Sequence, residues 1–257
     1  VFNLRELVKR GTTLMVERGQ TEPVTMMHHS MNAIAPLLSF GRIGYIWENN
    51  RGMLDFQDRY TREYLQAMST GRQFGIVPAA LAMFTSGSRS KMYDWVDRTA
   101  TGVLLTHEIR WQSGTPSAWL RTPDGKLYTK CSYWDKLKYL LDFGYGKDHV
   151  NVWNYWDTTS YPARITGGKN ASILISKPGE AILILCDWEK GGTYEVKLDL
   201  TALGLTGIAG VRDCSGNRPV QVTDDTLRFT LPRHDYIMLH LSDKAKASTP
   251  AITQKTK

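Results

Sequence analysis

From Ala171 onward the chain alternates short apolar runs with turns, and this rhythm restricts its possible folds more than any other feature. Strand-like stretches run over 172–176, 181–187, 194–200, 210–213, 220–222, 226–231 and 236–241. Between them lie Lys177-Pro178-Gly179, Gly191-Gly192 and Ser215-Gly216-Asn217, residue types that take turn geometry without strain. Strands about 8–12 residues apart with such punctuation predict an antiparallel β-sandwich.

The upstream half has a different period. Leu4, Leu7, Val8, Leu14 and Val16 predict a helix over 4–19, with Gly19 at its end. Val24 to Met27 reads as a buried strand whose polar end carries His28, His29, Ser30 and Asn32. A helix is expected over 55–68 through Phe56, Tyr60, Tyr64 and Leu65, with Asp55 as its N-cap and Asp58 in its first turn. The run 74–84 reads as a strand and a loop around Pro78, 93–100 as a short helix, 102–109 as a strand ending in His107 and Glu108, and 134–143 as a helix. Helix, apolar strand and polar strand end, repeated, is the pattern of a parallel α/β layer.

About two such units fit before residue 120, whereas a closed barrel has eight strands over roughly 250 residues. The fold expected is therefore α/β plus all-β, the C-terminal portion of a (β/α)8 barrel followed by an antiparallel β-sandwich. The domains expected are 1–157, partial barrel; 158–243, sandwich; and 244–257, a flexible tail. A segment upstream of Val1 or another chain would complete the barrel.

The module opened by "ASILISKPGEAILILCDWEKGG" and closed by "DYIMLHL" resembles the C-terminal β-sandwich of many barrel glycoside hydrolases. The segment "MMHHSMNAIAPLLSFGRIGYIWENN" with "LDFQDRY" is similar to the late-barrel region of glycosidase-like proteins related to retaining β-N-acetylgalactosaminidases. That resemblance implies a retaining hydrolase in which the substrate's acetamido group attacks the anomeric carbon while a neighbouring Asp and Glu polarise it and protonate the leaving oxygen. No adjacent Asp-Glu pair stands at a strand end, so the acid pair the resemblance implies would lie upstream of Val1.

Glycosidases need two carboxyl groups about 5–10 Å apart. Glu48, Asp55 and Glu108 are the catalytic candidates among acids close to aromatic residues. His28, His29, Trp47, His107 and Trp111 are the substrate-binding candidates, since aromatic faces suit sugar C–H surfaces and imidazoles bond hydroxyls. Each has a structural alternative: Glu48 as solvated loop, Asp55 as helix cap, Glu108 and His107 as an ion-pair cluster fixed by Arg110, the tryptophans as packing. Adjacent histidines on a strand point to opposite faces, so His28 and His29 cannot jointly hold a metal, and Ser30 lacks a Gly-x-Ser-x-Gly elbow.

Composition excludes other classes. With 42% hydrophobic and 22% charged residues the chain is neither disordered nor fibrous, and no apolar run approaches a membrane span. Cys131, Cys186 and Cys214 give no metal or disulfide pattern, and no dinucleotide, Walker or zinc motif occurs, so no cofactor and no metal are expected. The net charge of +7 is scattered, which argues against a nucleic-acid surface. The partner expected is a carbohydrate substrate, with a non-catalytic carbohydrate-binding protein as the alternative. The compartment stays open, a secreted, periplasmic or lysosome-like one being favoured.

Overall fold

The computed structural model describes residues 2–28, 42–46, 55–69, 77–80, 94–111, 122, 124–126 and 132–243. The chain divides into two compact units, one of Val1–Asp97 and His107–Cys131, the other of Arg98–Thr106 and Ser132–Lys257. The tail beyond residue 243 lies outside the described residues.

In the first unit, helix α1, Phe2–Glu17, stops where Gly19 turns left-handed at φ 86°. The Gly19 N–H donates to Val16 at 2.9 Å and the Gln20 N–H to Met15 at 3.0 Å, which satisfies carbonyls the helix end would orphan. Four strands follow: β1, Met26–His28; β2, Ile43–Ile46; β3, Val77–Ala80; and β4, Arg110–Trp111. They make one sheet in chain order, and every adjacent pair is parallel. Parallel neighbours need a crossover, which helix α2, Arg62–Ser69, supplies between β2 and β3, and helix α3, Asp94–Thr106, between β3 and β4.

Three expectations are corrected here. Among the described residues the unit holds four parallel strands and two crossover helices, more than the two or so helix–strand units expected. The helix expected from Asp55 starts at Arg62: Asp55 Oδ1 accepts the Gln57 N–H at 3.2 Å in a local turn, and the cap is Thr61, whose Oγ1 accepts the Tyr64 N–H at 3.1 Å. The run 102–109, expected as a strand, is the second half of α3 up to Thr106 and then a turn. Residues 99–106 are buried all round, so they show no helical stripe to tell them from a strand.

The second unit contains two antiparallel sheets. One has five strands in the order β10-β13-β8-β7-β5, the other four in the order β11-β12-β9-β6. Their ranges are β5 Asn151–Asn154, β6 Ala163–Thr166, β7 Asn170–Lys177, β8 Glu180–Asp187, β9 Gly191–Leu198, β10 Ile208–Asp213, β11 Gln221–Thr223, β12 Thr226–Pro232 and β13 Tyr236–Asp243. The expected strands are all present, joined by β5 and β6, and β5 lies upstream of residue 158. Leu174, Leu183, Leu185 and Leu239 from the first sheet and Tyr194, Val196, Leu227 and Phe229 from the second share one apolar core. Each such side chain contributes about 2 kcal/mol on leaving water.

Burial follows sequence pattern. Strands β9 and β12 alternate buried and exposed residues, whereas the interiors of β7 and β8 are buried throughout. The larger sheet is thus covered on its other face too, by residues 98–106 of α3 and by helix α4, Ser132–Phe143. At Gly102 a Cβ would lie 2.7 Å from Tyr236 Cβ and 2.9 Å from Cys186 Sγ, so glycine is what lets α3 seat on the sheet. Lys177 Nζ donates to the Phe143 carbonyl at 3.0 Å, placing a cation on the C-terminus of α4. Among the described residues no helix is long and apolar enough to cross a membrane.

Candidate functional site

The parallel sheet gathers the carboxyl ends of its strands on one edge, where open and closed α/β sheets bind ligands. Register places His28 beside Tyr45, Tyr45 beside Ala79, and Ile46, Ala80 and Trp111 in one row. His28, the last residue of β1, and Trp111, the last of β4, therefore share that edge. Three strand spacings separate them, ~14 Å along the sheet. Trp111 is buried.

The connection from β2 to α2 leaves the same edge and carries acids. In the chain, Trp47 and Glu48 follow directly on β2; both, with His29, lie outside the described residues. Asp55, half-buried, and Asp58, exposed, belong to the same connection. The described strand ends themselves, His28, Ile46, Ala80 and Trp111, include no carboxylate.

His107 and Glu108 are not where a strand end would put them. They form the turn that leads from α3 into β4, on the amino side of that strand, the edge opposite His28 and Trp111. His107 is fully buried, and Glu108, 9% exposed, takes a left-handed φ of 56°. A non-glycine residue in that region is a helix-ending conformation held by its surroundings. Their geometry is that of a buried turn.

The second unit holds three polar clusters that pattern reading did not anticipate. Asp235 accepts from Arg98 Nε at 2.7 Å and pairs with Arg218 through its other oxygen. Arg98 also donates to the carbonyls of Ser215, at 2.7 Å, and Tyr236, at 2.9 Å, and its guanidinium lies 4.8 Å from the Tyr236 ring centre. Asp187, wholly buried, accepts from the Tyr194 hydroxyl at 2.5 Å and from the N–H groups of His234 and Glu189 at 2.9 and 3.1 Å. Burial, together with the Asp187 charge, holds the Tyr194 hydroxyl protonated far above its ordinary range. Asp residues at strand ends beside Gly and Ser turns were the available signal, and it is also the signal of ordinary turns.

In the third cluster Arg212 Nη2 donates to the Tyr139 oxygen at 2.5 Å, and the Tyr139 hydroxyl meets His240 Nδ1 at 2.5 Å. The arginine can only donate, so the Tyr139 oxygen accepts from it; the Tyr139 hydroxyl can in turn donate to a neutral His240 Nδ1, and His240 Nε2 lies 3.4 Å from Glu180 Oε1. Burial lowers the His240 pKa; Glu180 opposes that shift, and Arg212 and Lys177 add to it.

No protein-family profile and no curated protein sequence matches the chain. Solved structures do match. A GH27 β-L-arabinopyranosidase from Geobacillus stearothermophilus, at 14% identity and a TM-score of 0.55, is covered over 54% of its length by 93% of this chain. A noncanonic maltogenic α-amylase from Thermotoga neapolitana has 9% identity and a TM-score of 0.54, covering 93% of this chain and 58% of its own. An α-amylase from Geobacillus thermoleovorans has 12% identity and a TM-score of 0.53, covering 94% of this chain and 57% of its own. The chain thus spans a little over half the length of the structures it matches, and over that part it shares their fold.

Proposed function

We propose that this chain is the C-terminal part of a glycoside hydrolase, contributing the last four strands of a (β/α)8 barrel and a C-terminal β-sandwich. The observation that carries the reading is the four-stranded parallel sheet in chain order, whose carboxyl edge bears His28, Trp111 and the acid-bearing β2–α2 connection. The fold likeness to sugar-cleaving enzymes supports it. The substrate is a glycan, with an N-acetylhexosaminide as the specific candidate, and another segment or chain supplies the remaining strands.

Within this reading Glu48 and Asp55 are the acids on the ligand edge. One protonates the leaving oxygen and the other serves the anomeric centre directly or through the substrate's acetamido group. His28, His29 and Trp47 bind sugar hydroxyls and ring faces there, and Trp111 backs the same edge. Glu108 and His107 face the opposite edge and hold the turn before β4. Replacing a general acid removes about 10²–10⁴-fold of rate. Glu48→Gln is therefore expected to lower kcat on aryl glycosides, including the N-acetylgalactosaminide, by about that factor with KM little changed. Unchanged kcat would reject Glu48.

A second reading is favoured by the lack of a carboxylate at the four described strand ends: a carbohydrate-binding protein of the same architecture. Saturable glycan binding by the wild type without release of any sugar from the panel supports that one.

A further inference from the structure

The outer face of the four-stranded sheet sets two cations against each other. Arg164 on β6 and Lys197 on β9 are direct cross-strand partners, and both are exposed. Like charges directly opposite weaken strand pairing. An edge strand such as β6 benefits from a charge that discourages edge-to-edge association, but one cation suffices for that. The nearest acid to Lys197 is Asp225 at 3.9 Å, and Arg164 forms no hydrogen bond or ion pair among the described residues.

The pair borders a groove of about 620 Å³, lined also by Tyr161, Asp199, Thr201 and Asp225. That volume lies within the ~300–1,000 Å³ of small-ligand sites. Its walls are fixed. The Tyr161 hydroxyl donates to Ser172 Oγ at 2.7 Å, Asp199 Oδ1 accepts the Ala202 N–H at 3.0 Å, and Asp225 Oδ1 accepts the Thr226 hydroxyl at 2.9 Å. Asp199 Oδ2 and the Thr201 hydroxyl remain for sugar hydroxyls, while the planar guanidinium of Arg164 suits a two-oxygen anion.

We propose that this groove is a non-catalytic subsite for a glycan chain bearing anionic groups, Arg164 and Lys197 bracketing the anion and Asp199 and Thr201 bonding neighbouring hydroxyls. The proposal rests on the glycan reading above and narrows it to anionic chains. Carboxylate and sulfate ester share the chemistry required.

The test is calorimetric titration of the full chain with polygalacturonate, dextran sulfate and neutral dextran, beside the double variant Arg164→Gln/Lys197→Gln and a DNA duplex. The wild type is expected to bind one anionic glycan about tenfold or more tighter than dextran, and the variant to lose that margin. Preference for polygalacturonate assigns carboxylate; preference for dextran sulfate assigns a sulfate ester. The variant's melting temperature should hold or rise, since repulsion is relieved. Equal affinity for dextran, unchanged affinity in the variant, or equally tight binding of the duplex each overturns the subsite. Sugar release from aryl glycosides does not involve the groove, so its absence would sink the hydrolase reading while leaving the binding result standing.

Discussion

His240 lies half-buried among Tyr139, Glu180, Arg212 and Lys177, and that setting has a consequence for stability. A neutral imidazole accepts the Tyr139 proton; a charged one cannot, and it would face Arg212 and Lys177 with only Glu180 in compensation. The folded pKa lies below the ordinary 6.5, so the unfolded chain binds the proton more readily than the folded one. The contribution is complete above about pH 6.5 and is lost as pH falls toward the folded value. Urea unfolding between pH 7.5 and 5.5 should show stability decreasing with acid, and His240→Gln should flatten that slope; equal slopes would show that His240 does not carry it. At Asp235 the expectation is larger. Its carboxylate joins Arg98 on α3 to Arg218, all three mostly buried, and Asp235→Ala leaves two guanidinium groups without it. A loss of about 3 kcal/mol is expected in the same unfolding assay, and a loss under 1 kcal/mol would make the pair a surface-like contact.

Between helix and sheet, α3 comes close to the five-stranded sheet at Gly102. Alanine there would push its Cβ into Tyr236 and Cys186, neither of which is the far end of a flexible chain, so Gly102→Ala should cost about 1–3 kcal/mol by overpacking. A helix propensity gain of about 1 kcal/mol works the other way, so a melting temperature that rises would show the helix seats more loosely than described. The same helix explains where sequence reading stopped. Strands β8, β9, β12 and β13 were legible because turn residues bound them and, in β9 and β12, alternation marks a half-solvated face. The Gly102-Val103-Leu104-Leu105 run carries no such mark: buried on every side, it is apolar whether helical or extended, and only the length of α3 decides. Strands β5 and β6 are four residues each and β4 two, too short for a period to show. Of the candidate residues, His28 was legible as the polar end of a strand, whereas the place of Trp111 at the end of β4 was not, because the strand was expected over 102–109. Taking the helix for a strand put His107 and Glu108 at a strand's carboxyl end, whereas they stand on the turn before β4. Asp55 is the subtler miss, since an Asp that turns on itself and an Asp that caps a helix look alike until Thr61 is seen to hold the cap.

Over the whole chain, the two compact units are not consecutive. Residues 98–106 are built into the second unit although 107–131 return to the first. A piece comprising 132–243 would keep both antiparallel sheets but lack Arg98, Thr99 and Gly102, which bond or pack on Asp235, His234 and Tyr236. Residues 94–243 should therefore melt cooperatively and well above residues 132–243, whose uncovered sheet face should bind a hydrophobic dye. Equal melting temperatures would mean that α4 alone covers that face. The interleaving also bears on how such a chain is made and inherited. As it leaves the ribosome, the helix emerges before the strands it covers and must wait for the last of them, β13, which holds Tyr236. A genetic exchange with its breakpoint near residue 131 would deliver the sheets to a new host without their helix. These two units are therefore expected to be inherited together rather than shuffled apart.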